Sequence, residues 1–256
     1  MSSEVSRSWA QRSPHESVTR IAVFAGRIFL KRLERVPEPE LMLDPEQARA
    51  YADADFSEPH ARFIELLSER LPVLPEQGRA LDLGCGPGDI AFRFLRRFPG
   101  WSVDGIDASP AMLELGLERR KEEALGHRIE FHEALLPVDR LPHDSFDLCF
   151  SNSLLHHLPH GSILWQAIRQ AGPSRGVFVM DLVRPDSREE AQALVEQYAG
   201  QEPEVLKVDF FNSLLAAYRL EEIKEQLTDA GLSSMTAEKV SDRHVIVWKA
   251  GTRPEA

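Results

Sequence analysis

A glycine-rich turn between an apolar strand and an amphipathic helix constrains this chain more than any other feature. The segment reads Ala80-Leu-Asp-Leu-Gly-Cys-Gly-Pro-Gly-Asp89. Leu81 and Leu83 predict a buried strand, and the glycines that follow leave no side chains between the backbone and a ligand. Apolar residues then recur every four positions as far as Pro99, which predicts a helix. This order of elements predicts a loop that binds a nucleotide-type cofactor.

The spacing of the glycines separates two kinds of cofactor. A dinucleotide fingerprint has the pattern G-x-G-x-x-G, but this chain has Asp89 where the last glycine would stand, and its third glycine is Gly88. A pyrophosphate site is therefore disfavoured. The next apolar strand ends at Asp107, nineteen residues after Gly88, and a carboxylate at this position can bind both hydroxyls of a ribose. Ser109 and Pro110 then predict the start of a helix.

Two further segments accompany the glycine turn. They are Gly105-Ile-Asp-Ala-Ser-Pro-Ala-Met112 and Phe146-Asp-Leu-Cys-Phe-Ser-Asn-Ser-Leu-Leu-His-His-Leu158. Together the three resemble the class I S-adenosylmethionine-dependent methyltransferases, over roughly residues 57–182. The resemblance implies S-adenosyl-L-methionine as the cofactor and methyl transfer by direct in-line displacement.

The resemblance assigns a set of residues to the cofactor. They are Tyr51, Asp82, Gly84, Cys85, Gly86, Gly88, Asp107, Ala108, Met112, Glu133, Ala134 and Asn152. On the family's pattern the glycine turn and Asp82 would lie along the methionine part, and Asp107 would hold the ribose. Ala108 and Met112 would flank the adenine. Glu133 departs from the pattern, because many relatives have an aspartate there.

The remaining periodicity predicts an α/β fold: a doubly wound, mostly parallel seven-stranded sheet of the Rossmann-like methyltransferase type. Strands are predicted near residues 80–84, 102–106, 129–132, 146–151 and 176–182, with a final hairpin at 236–240 and 244–247. We expect one methyltransferase domain over 57–256 and an N-terminal helical extension over 1–56. After the fifth strand, residues 184–219 form a predicted helical insertion, which we call the lid insertion.

The lid insertion is expected to cover a small-molecule acceptor. Loops after the strands of such sheets emerge at the edge where ligands bind. Ser187-Arg-Glu-Glu190 predicts a capping box for its first helix. Its aromatic candidates for contact with the acceptor are Tyr198, Phe210, Phe211 and Tyr218. Ordinary packing of two amphipathic helices is the alternative for any one of them.

Candidates for a general base follow the fourth strand. His156 or His157 could take a proton from an incoming hydroxyl, amine or thiol, because an unperturbed imidazole titrates near neutral pH. The family often has histidine here without catalytic use. No metal site is predicted, because adjacent histidines do not readily face one ion and no H-E-x-x-H or C-x-x-C pattern is present.

Charge and composition narrow the partners. The net charge is −11, although residues 1–35 hold seven Arg or Lys against three Glu. An acidic body without a basic run that alternates with aromatics makes nucleic acid a poor acceptor. The basic stretch at residues 20–35 predicts a helix that packs on the core or, less favoured, contacts a membrane surface or partner. No apolar run is long enough to span a membrane. Cys85 and Cys149 predict reduced thiols in a cytoplasmic protein.

Two other functions stay open at this point. A nucleotide-dependent oxidoreductase shares the strand, the turn and the acid, and a non-catalytic S-adenosylmethionine-binding module would need no acceptor pocket. The lid insertion favours catalysis over mere retention of a cofactor. Ser-Asn-Ser-Leu after the fourth strand disfavours acceptors that are nucleobase or amide nitrogens, for which an Asn-Pro-Pro-Tyr type turn is usual. The residues leave open which atom of the acceptor is methylated.

Overall fold

The computed structural model describes residues 23–24, 27–28, 32–38 and 44–251, in two units, residues 1–32 and residues 33–256. In the first unit, Val23–Phe24 and Arg27–Ile28 form an antiparallel strand pair. The helix predicted over residues 20–35 is wrong at these positions. Gly26, a poor helix former, falls in the middle of the apolar pattern that suggested it.

Residues 33–38, at the start of the second unit, have no regular secondary structure. The guanidinium of Arg35 donates to the carbonyl oxygens of Ala216 (2.5 Å), His156 (2.9 Å) and Leu158 (2.8 Å). It also stacks on the ring of Tyr218 at 4.0 Å. Arg35 therefore cross-links two parts of this unit and does not belong to the helix that the sequence predicted. Contact of the basic stretch with a membrane or partner stays a prediction.

A seven-stranded sheet forms the centre of the second unit. Its strands are β1 (Gln77–Leu83), β2 (Gly100–Asp107), β3 (Ile129–Glu133), β4 (Leu148–Asn152), β5 (Gly176–Leu182), β6 (Thr236–Lys239) and β7 (His244–Ala250). The strand order is β3-β2-β1-β4-β5-β7-β6. Strands β1 to β5 pair in parallel, and β7 pairs antiparallel with both β5 and β6. The predicted doubly wound, mostly parallel sheet is confirmed.

Eight α-helices of the described residues accompany the sheet. They are α1 (Pro45–Asp53), α2 (Ser57–Arg70), α3 (Asp89–Arg97), α4 (Pro110–Glu122), α5 (Ser162–Ala171), α6 (Arg188–Ala199), α7 (Glu204–Ala216) and α8 (Leu220–Asp229). Short 3-10 turns lie at Gly126–Arg128 and Leu155–His157. As the sequence predicted, the Ser109 hydroxyl caps α4 by accepting from Met112 N at 3.2 Å.

The core has two layers because successive strand residues point to opposite faces of the sheet. Ala80, Phe150 and Phe178 pack with helices α2 and α3 on one face. Their sequence neighbours, such as Leu81 and Cys149, pack with α5 and α8 on the other. Burial on both faces explains why the strands read as near-continuous apolar runs.

The lid insertion contains α6 and α7, which pack on each other in a small apolar cluster of their own. Ser187 caps α6 by accepting from Glu190 N at 3.2 Å, and the Glu190 carboxylate accepts from Asp186 N at 2.8 Å. In a capping box the Glu190 carboxylate would accept from the amide of Ser187 itself, but here it accepts from the amide of the preceding residue, Asp186. The division of the chain at residue 56 stays a prediction. Among the described helices, none has the length and apolar character needed to cross a membrane.

Candidate functional site

A cleft opens at the carboxyl ends of β1 and β4, where the strand order reverses. In open α/β sheets this is the position at which ligands bind. The residues that line it are Tyr51, His60, Asp82, Gly84, Cys85, Gly86, Pro87, Asp89, Ile90, Asp107, Met112, Asn152, Ser153, Leu154 and His157. Eight of the twelve residues predicted to contact the cofactor are in this set.

The glycine turn is shaped by residues with positive φ. Gly84 and Gly86 have φ values of +71° and +51°, a region that side chains with a Cβ rarely adopt. A Cβ on Gly86 would have no atom within 4 Å, so this residue faces open space in the cleft. The amides of Gly84 and Cys85 donate to Ile106 O at 2.8 and 3.1 Å, which fixes the turn against β2.

Asp107 joins the glycine turn to helix α4. Its Oδ2 accepts from Gly86 N and its Oδ1 accepts from Ser109 N, both at 2.8 Å. Burial raises the pKa of Asp107, and the backbone hydrogen bonds partly offset this effect. Each carboxylate oxygen can accept more than one bond. Asp107 can therefore order the loop and still accept from the hydroxyls of a ribose.

Asp82 supplies an unsatisfied buried carboxylate in the same cleft. The residue is 1% exposed, and its Oδ2 has no hydrogen-bond partner. Burial, and then the charge of Asp107, raise the pKa of Asp82 well above its ordinary value. Leaving such a group unpaired is costly. A cationic ammonium group bound in the cleft would satisfy it, so the residues present fit an amino-acid-bearing cofactor.

Four of the predicted cofactor residues lie outside the lining of the cleft. Gly88 is the N-cap of α3, and its amide donates to Cys85 O at 2.9 Å. Glu133 is exposed at the end of β3, and Ala134 N donates to Asp107 O at 2.9 Å. Ala108 follows Asp107 without joining the lining. Gly88 thus ends the glycine turn, and Glu133 pairs with Asp107 at the ends of β3 and β2.

Other lining residues escaped the sequence reasoning. His60 comes from α2 and is 7% exposed, and burial lowers its pKa to about 4. Ser153 has a φ of +55°, the one positive φ among described residues other than glycine, and its amide donates to Met180 O at 2.9 Å. Such strain is common at functional sites. Its position directly after Asn152 was the only available signal.

A second cavity of about 320 Å³ adjoins the cleft and lies beside α6 and α7. The two share five lining residues, which are Tyr51, His60, Asn152, Ser153 and His157. Burial raises the pKa of Tyr51 to about 12, so its hydroxyl stays protonated at neutral pH. The shared wall means that a ligand in the cavity would meet a ligand in the cleft.

His156 lines this second cavity and is held by a buried carboxylate. The residue is 2% exposed, and its Nδ1 lies 2.7 Å from Asp181 Oδ1. Asp181 in turn accepts from the amides of Leu155 and Leu182, both at 2.7 Å. With Nδ1 as the donor to Asp181, Nε2 is the acceptor nitrogen of the ring. No signal in the sequence indicated this role of Asp181, because His156 is 25 residues away from it.

His157, the other candidate base, has a different environment. Its Nδ1 has no hydrogen-bond partner and lies 3.6 Å from Glu38 Oε2. Burial, and then the proximity of His156, lower its pKa well below the ordinary value. Ligand atoms of Glu38, His156 and His157 lie within 4.8 Å of one another, as do those of Asp104, Glu130 and His132. The expectation of no metal site therefore stays a prediction.

The structure divides the four aromatic candidates of the lid insertion. Tyr198 and Phe210 line the second cavity. Tyr198 is 41% exposed, and its hydroxyl donates to Asp242 Oδ2 at 2.6 Å. Phe211 packs in the lid cluster instead. Tyr218 is buried with its hydroxyl 3.3 Å from Leu158 O. Neither Phe211 nor Tyr218 lines the cavity, so their contact with an acceptor stays a prediction. Sequence periodicity does not distinguish a cavity wall from a helix interface.

Similarity to known proteins agrees with this geometry. Residues 80–176 match a family model described as a methyltransferase domain. The 27-O-demethylrifamycin SV methyltransferase of Amycolatopsis mediterranei (strain S699) is 31% identical over 206 residues, 79% of this chain and 71% of the relative. The trans-aconitate 2-methyltransferase of Variovorax paradoxus (strain S110) is 34% identical over 167 residues, 63% of this chain and 58% of the relative. The chain thus spans less than two thirds of that second relative.

Solved structures with low sequence identity share the fold. A SAM-dependent methyltransferase from Aquifex aeolicus superposes with a TM-score of 0.56 and 19% identity, covering 80% of this chain and 97% of that one. The plantazolicin methyltransferase BpumL in complex with SAH gives 0.62 and 12%, covering 83% and 93%. The chain belongs to the S-adenosylmethionine-dependent methyltransferase family. This membership removes the oxidoreductase alternative.

Proposed function

We propose that the chain transfers the methyl group of S-adenosylmethionine to a small-molecule acceptor held in the second cavity. The observation that carries this proposal is the shared wall of five residues between the cleft and the cavity. Methyl transfer needs the nucleophile in line behind the methyl group and needs water excluded. Two adjoining pockets provide both conditions. The buried free thiols of Cys85 and Cys149 fit a cytoplasmic protein.

Within the cleft, we assign the roles of the residues on the family's pattern. The glycine turn would lie along the methionine part, Asp82 would accept from its ammonium group, and Asp107 would accept from the ribose hydroxyls. Met112 and Ala108 would flank the adenine, and Glu133 and Ala134 would lie near its amino group. The cofactor supplies a methyl group that its sulfonium makes electrophilic. The protein binds, orients and keeps water away.

His156 is the general base of this proposal. Asp181 holds Nδ1 at 2.7 Å, which leaves Nε2 to accept a proton from the acceptor as its nucleophile attacks. Asp181 is a positioning residue, since it contacts the ring and not the substrate. His157 is disfavoured, because burial lowers its pKa well below the ordinary value and so makes it a weaker base. Cys85 and Cys149 have raised pKa values in buried sites and play no nucleophilic part.

The test uses methyl-labelled S-adenosylmethionine and a metabolite extract. The wild-type protein should label a product, and His156→Gln should lower the rate about 10²- to 10⁴-fold with the affinity for S-adenosylhomocysteine unchanged. Asp181→Asn should lower the rate and shift the pH profile of kcat, an effect that a purely structural role would not cause. His160→Gln, at an exposed position outside both pockets, is the matched control.

Two outcomes would contradict the proposal. Cofactor binding with no labelled product in any extract would favour the non-catalytic binding module. An unchanged rate in His156→Gln would remove the base from the mechanism while leaving methyl transfer in place.

A further inference from the structure

We propose that the second cavity selects an acceptor that is neutral or cationic, with a protonated hydroxyl or amine as its nucleophile, and excludes polycarboxylates. This inference rests on the proposed function, because it concerns the acceptor of that reaction. It departs from the substrate in the name of the trans-aconitate 2-methyltransferases, which is a tricarboxylate.

The charges that line the cavity are predominantly negative. Four carboxylates contribute to the lining, and they are Asp55, Glu58, Glu202 and Asp209. Glu202 lies between α6 and α7, and Asp209 lies on α7, so the lid insertion supplies half of them. Both are partly buried, where charge interactions are screened less than at an open surface. These carboxylates would repel an anionic acceptor that enters the cavity.

A single guanidinium, that of Arg243, lies among the described lining residues. Its Nη1 pairs with Asp242 Oδ1 at 3.2 Å, and its Cζ lies 3.2 Å from the centroid of the Tyr198 ring. The side chain is 14% exposed. Recognition of several carboxylates needs free arginine or lysine donors. The guanidinium of Arg243 already stacks on the Tyr198 ring and pairs with the Asp242 carboxylate, so it is not free to bind an acceptor.

Three of the four histidines of the lining do not add positive charge at neutral pH. Burial lowers the pKa values of His60 and His244 to about 4. It lowers that of His157 well below the ordinary value. The fourth, His156, has its Nδ1 2.7 Å from the carboxylate of Asp181. Among the described lining residues, the four carboxylates therefore outnumber the one guanidinium, that of Arg243, which is already paired with Asp242.

The His156–Asp181 pair points to the same class of acceptor. A base is useful when the nucleophile arrives with a proton, as a hydroxyl or an ammonium group does. A carboxylate nucleophile is already ionised at pH 7 and gives such a base nothing to remove. Charge and base chemistry thus independently favour a hydroxyl or amine acceptor.

Three phenols of nearly equal size test the inference: tyramine, tyrosol and 4-hydroxyphenylacetate, which are cationic, neutral and anionic at pH 7. Each is titrated by calorimetry into the full chain loaded with S-adenosylhomocysteine. We expect tyramine and tyrosol to bind, and the dissociation constant of 4-hydroxyphenylacetate to be larger than that of tyramine by about tenfold or more. Equal or tighter binding of the anion would overturn the inference, as would failure of all three to bind at millimolar concentration.

A double variant shows whether the cavity carboxylates cause the selection. Glu202→Gln with Asp209→Asn should bring the ratio of the two dissociation constants toward one. The control is Asp144→Asn with Glu65→Gln, which removes the same charge at positions 92% and 61% exposed and outside the cavity. The control should keep the ratio of the wild-type protein. Equal effects of the two double variants would refute a local origin.

The binding of S-adenosylhomocysteine separates the two levels of failure. If this product does not bind to the free protein, the proposed methyl transfer fails. If it binds and the phenols show no charge preference, methyl transfer stands and the acceptor class is wrong.

Discussion

At the scale of single residues, Asp107 contributes two backbone hydrogen bonds to the proposed cofactor site. Its two oxygens hold Gly86 and Ser109 while they face the cleft. Asp107→Ala should weaken binding of S-adenosylhomocysteine by about 1–3 kcal/mol, the cost of losing hydrogen bonds to a charged group. Asp107→Asn keeps one carbonyl acceptor and should lose less. Calorimetry on folded protein measures both, and an unchanged affinity in the alanine variant would contradict the ribose assignment.

Asp82 presents a conflict between stability and binding. Its pKa is raised in the folded protein, so the folded state retains a proton that the unfolded chain releases once the pH exceeds about 3.9. The unliganded protein therefore loses stability as the pH rises from there toward the raised pKa.

Asp82→Asn removes the buried charge, so the free energy of unfolding of the unliganded protein at pH 8 should increase by about 1–3 kcal/mol. The same change should weaken cofactor binding, because the ammonium group loses its carboxylate. Urea denaturation and calorimetry measure the two effects. Loss of stability together with unchanged cofactor affinity would show that Asp82 serves the fold alone.

Residues whose partners are near in sequence were predictable, and residues whose partners are far away in sequence were not. The glycine turn and Asp107 belong to one strand-turn-helix-strand unit, whose spacing is fixed by local geometry. Asp181 and Arg243 act through partners or cavities assembled from distant segments, and no local spacing encodes that. Arg35 shows the same limit, since the carbonyls to which it donates lie more than 120 residues away.

At the scale of elements, helix α7 links the lid cluster to the cavity. Leu214 is fully buried in that cluster, whereas Asp209 and Phe210 of the same helix line the cavity. Capping and periodicity were enough to predict both lid helices. The sequence did not predict which face of each helix would contact a ligand. Both faces are apolar in part, and the segments that pack against the helices determine which face lines the cavity.

Leu214→Ala should lower the free energy of unfolding by about 2–5 kcal/mol, the usual cost of a buried leucine. It should also weaken tyramine binding and leave the affinity for S-adenosylhomocysteine unchanged, because α7 does not line the cleft. Leu227→Ala on α8, buried in the main core, is the matched control that loses stability without an effect on tyramine. Equal effects of the two variants on tyramine would mean that the lid helices do not shape the cavity.

At the scale of the whole molecule, the site brings together three histidines that the fold keeps neutral. His60 comes from α2, His157 from the turn after β4 and His244 from the start of β7. The wall of the cavity also contains the carboxylates of the lid insertion. Because these elements pack around one cavity, the stability of the folded protein depends on pH in the acidic range.

The direction of that dependence follows from linkage. The pKa values of His60 and His244 are about 4 in the folded protein and about 6.5 in an unfolded chain. As the pH falls from 6.5 toward 4, these histidines become protonated in the unfolded chain but not in the folded protein. The stability that is present above pH 6.5 is therefore lost in this range. Each histidine contributes up to about 1.4 kcal/mol per pH unit in this window.

Replacing both histidines isolates their effect from that of Asp82, which has the opposite sign. The variant His60→Gln with His244→Gln should lose less stability between pH 6.5 and pH 4 than the wild-type protein, as measured by urea denaturation at a series of pH values. His127→Gln, at an exposed position, should follow the wild-type curve. Parallel curves for the double variant and the wild type would show that these rings take up protons in the folded state. They would then carry positive charge into the cavity, and the preference for neutral or cationic acceptors would lose one of its supports.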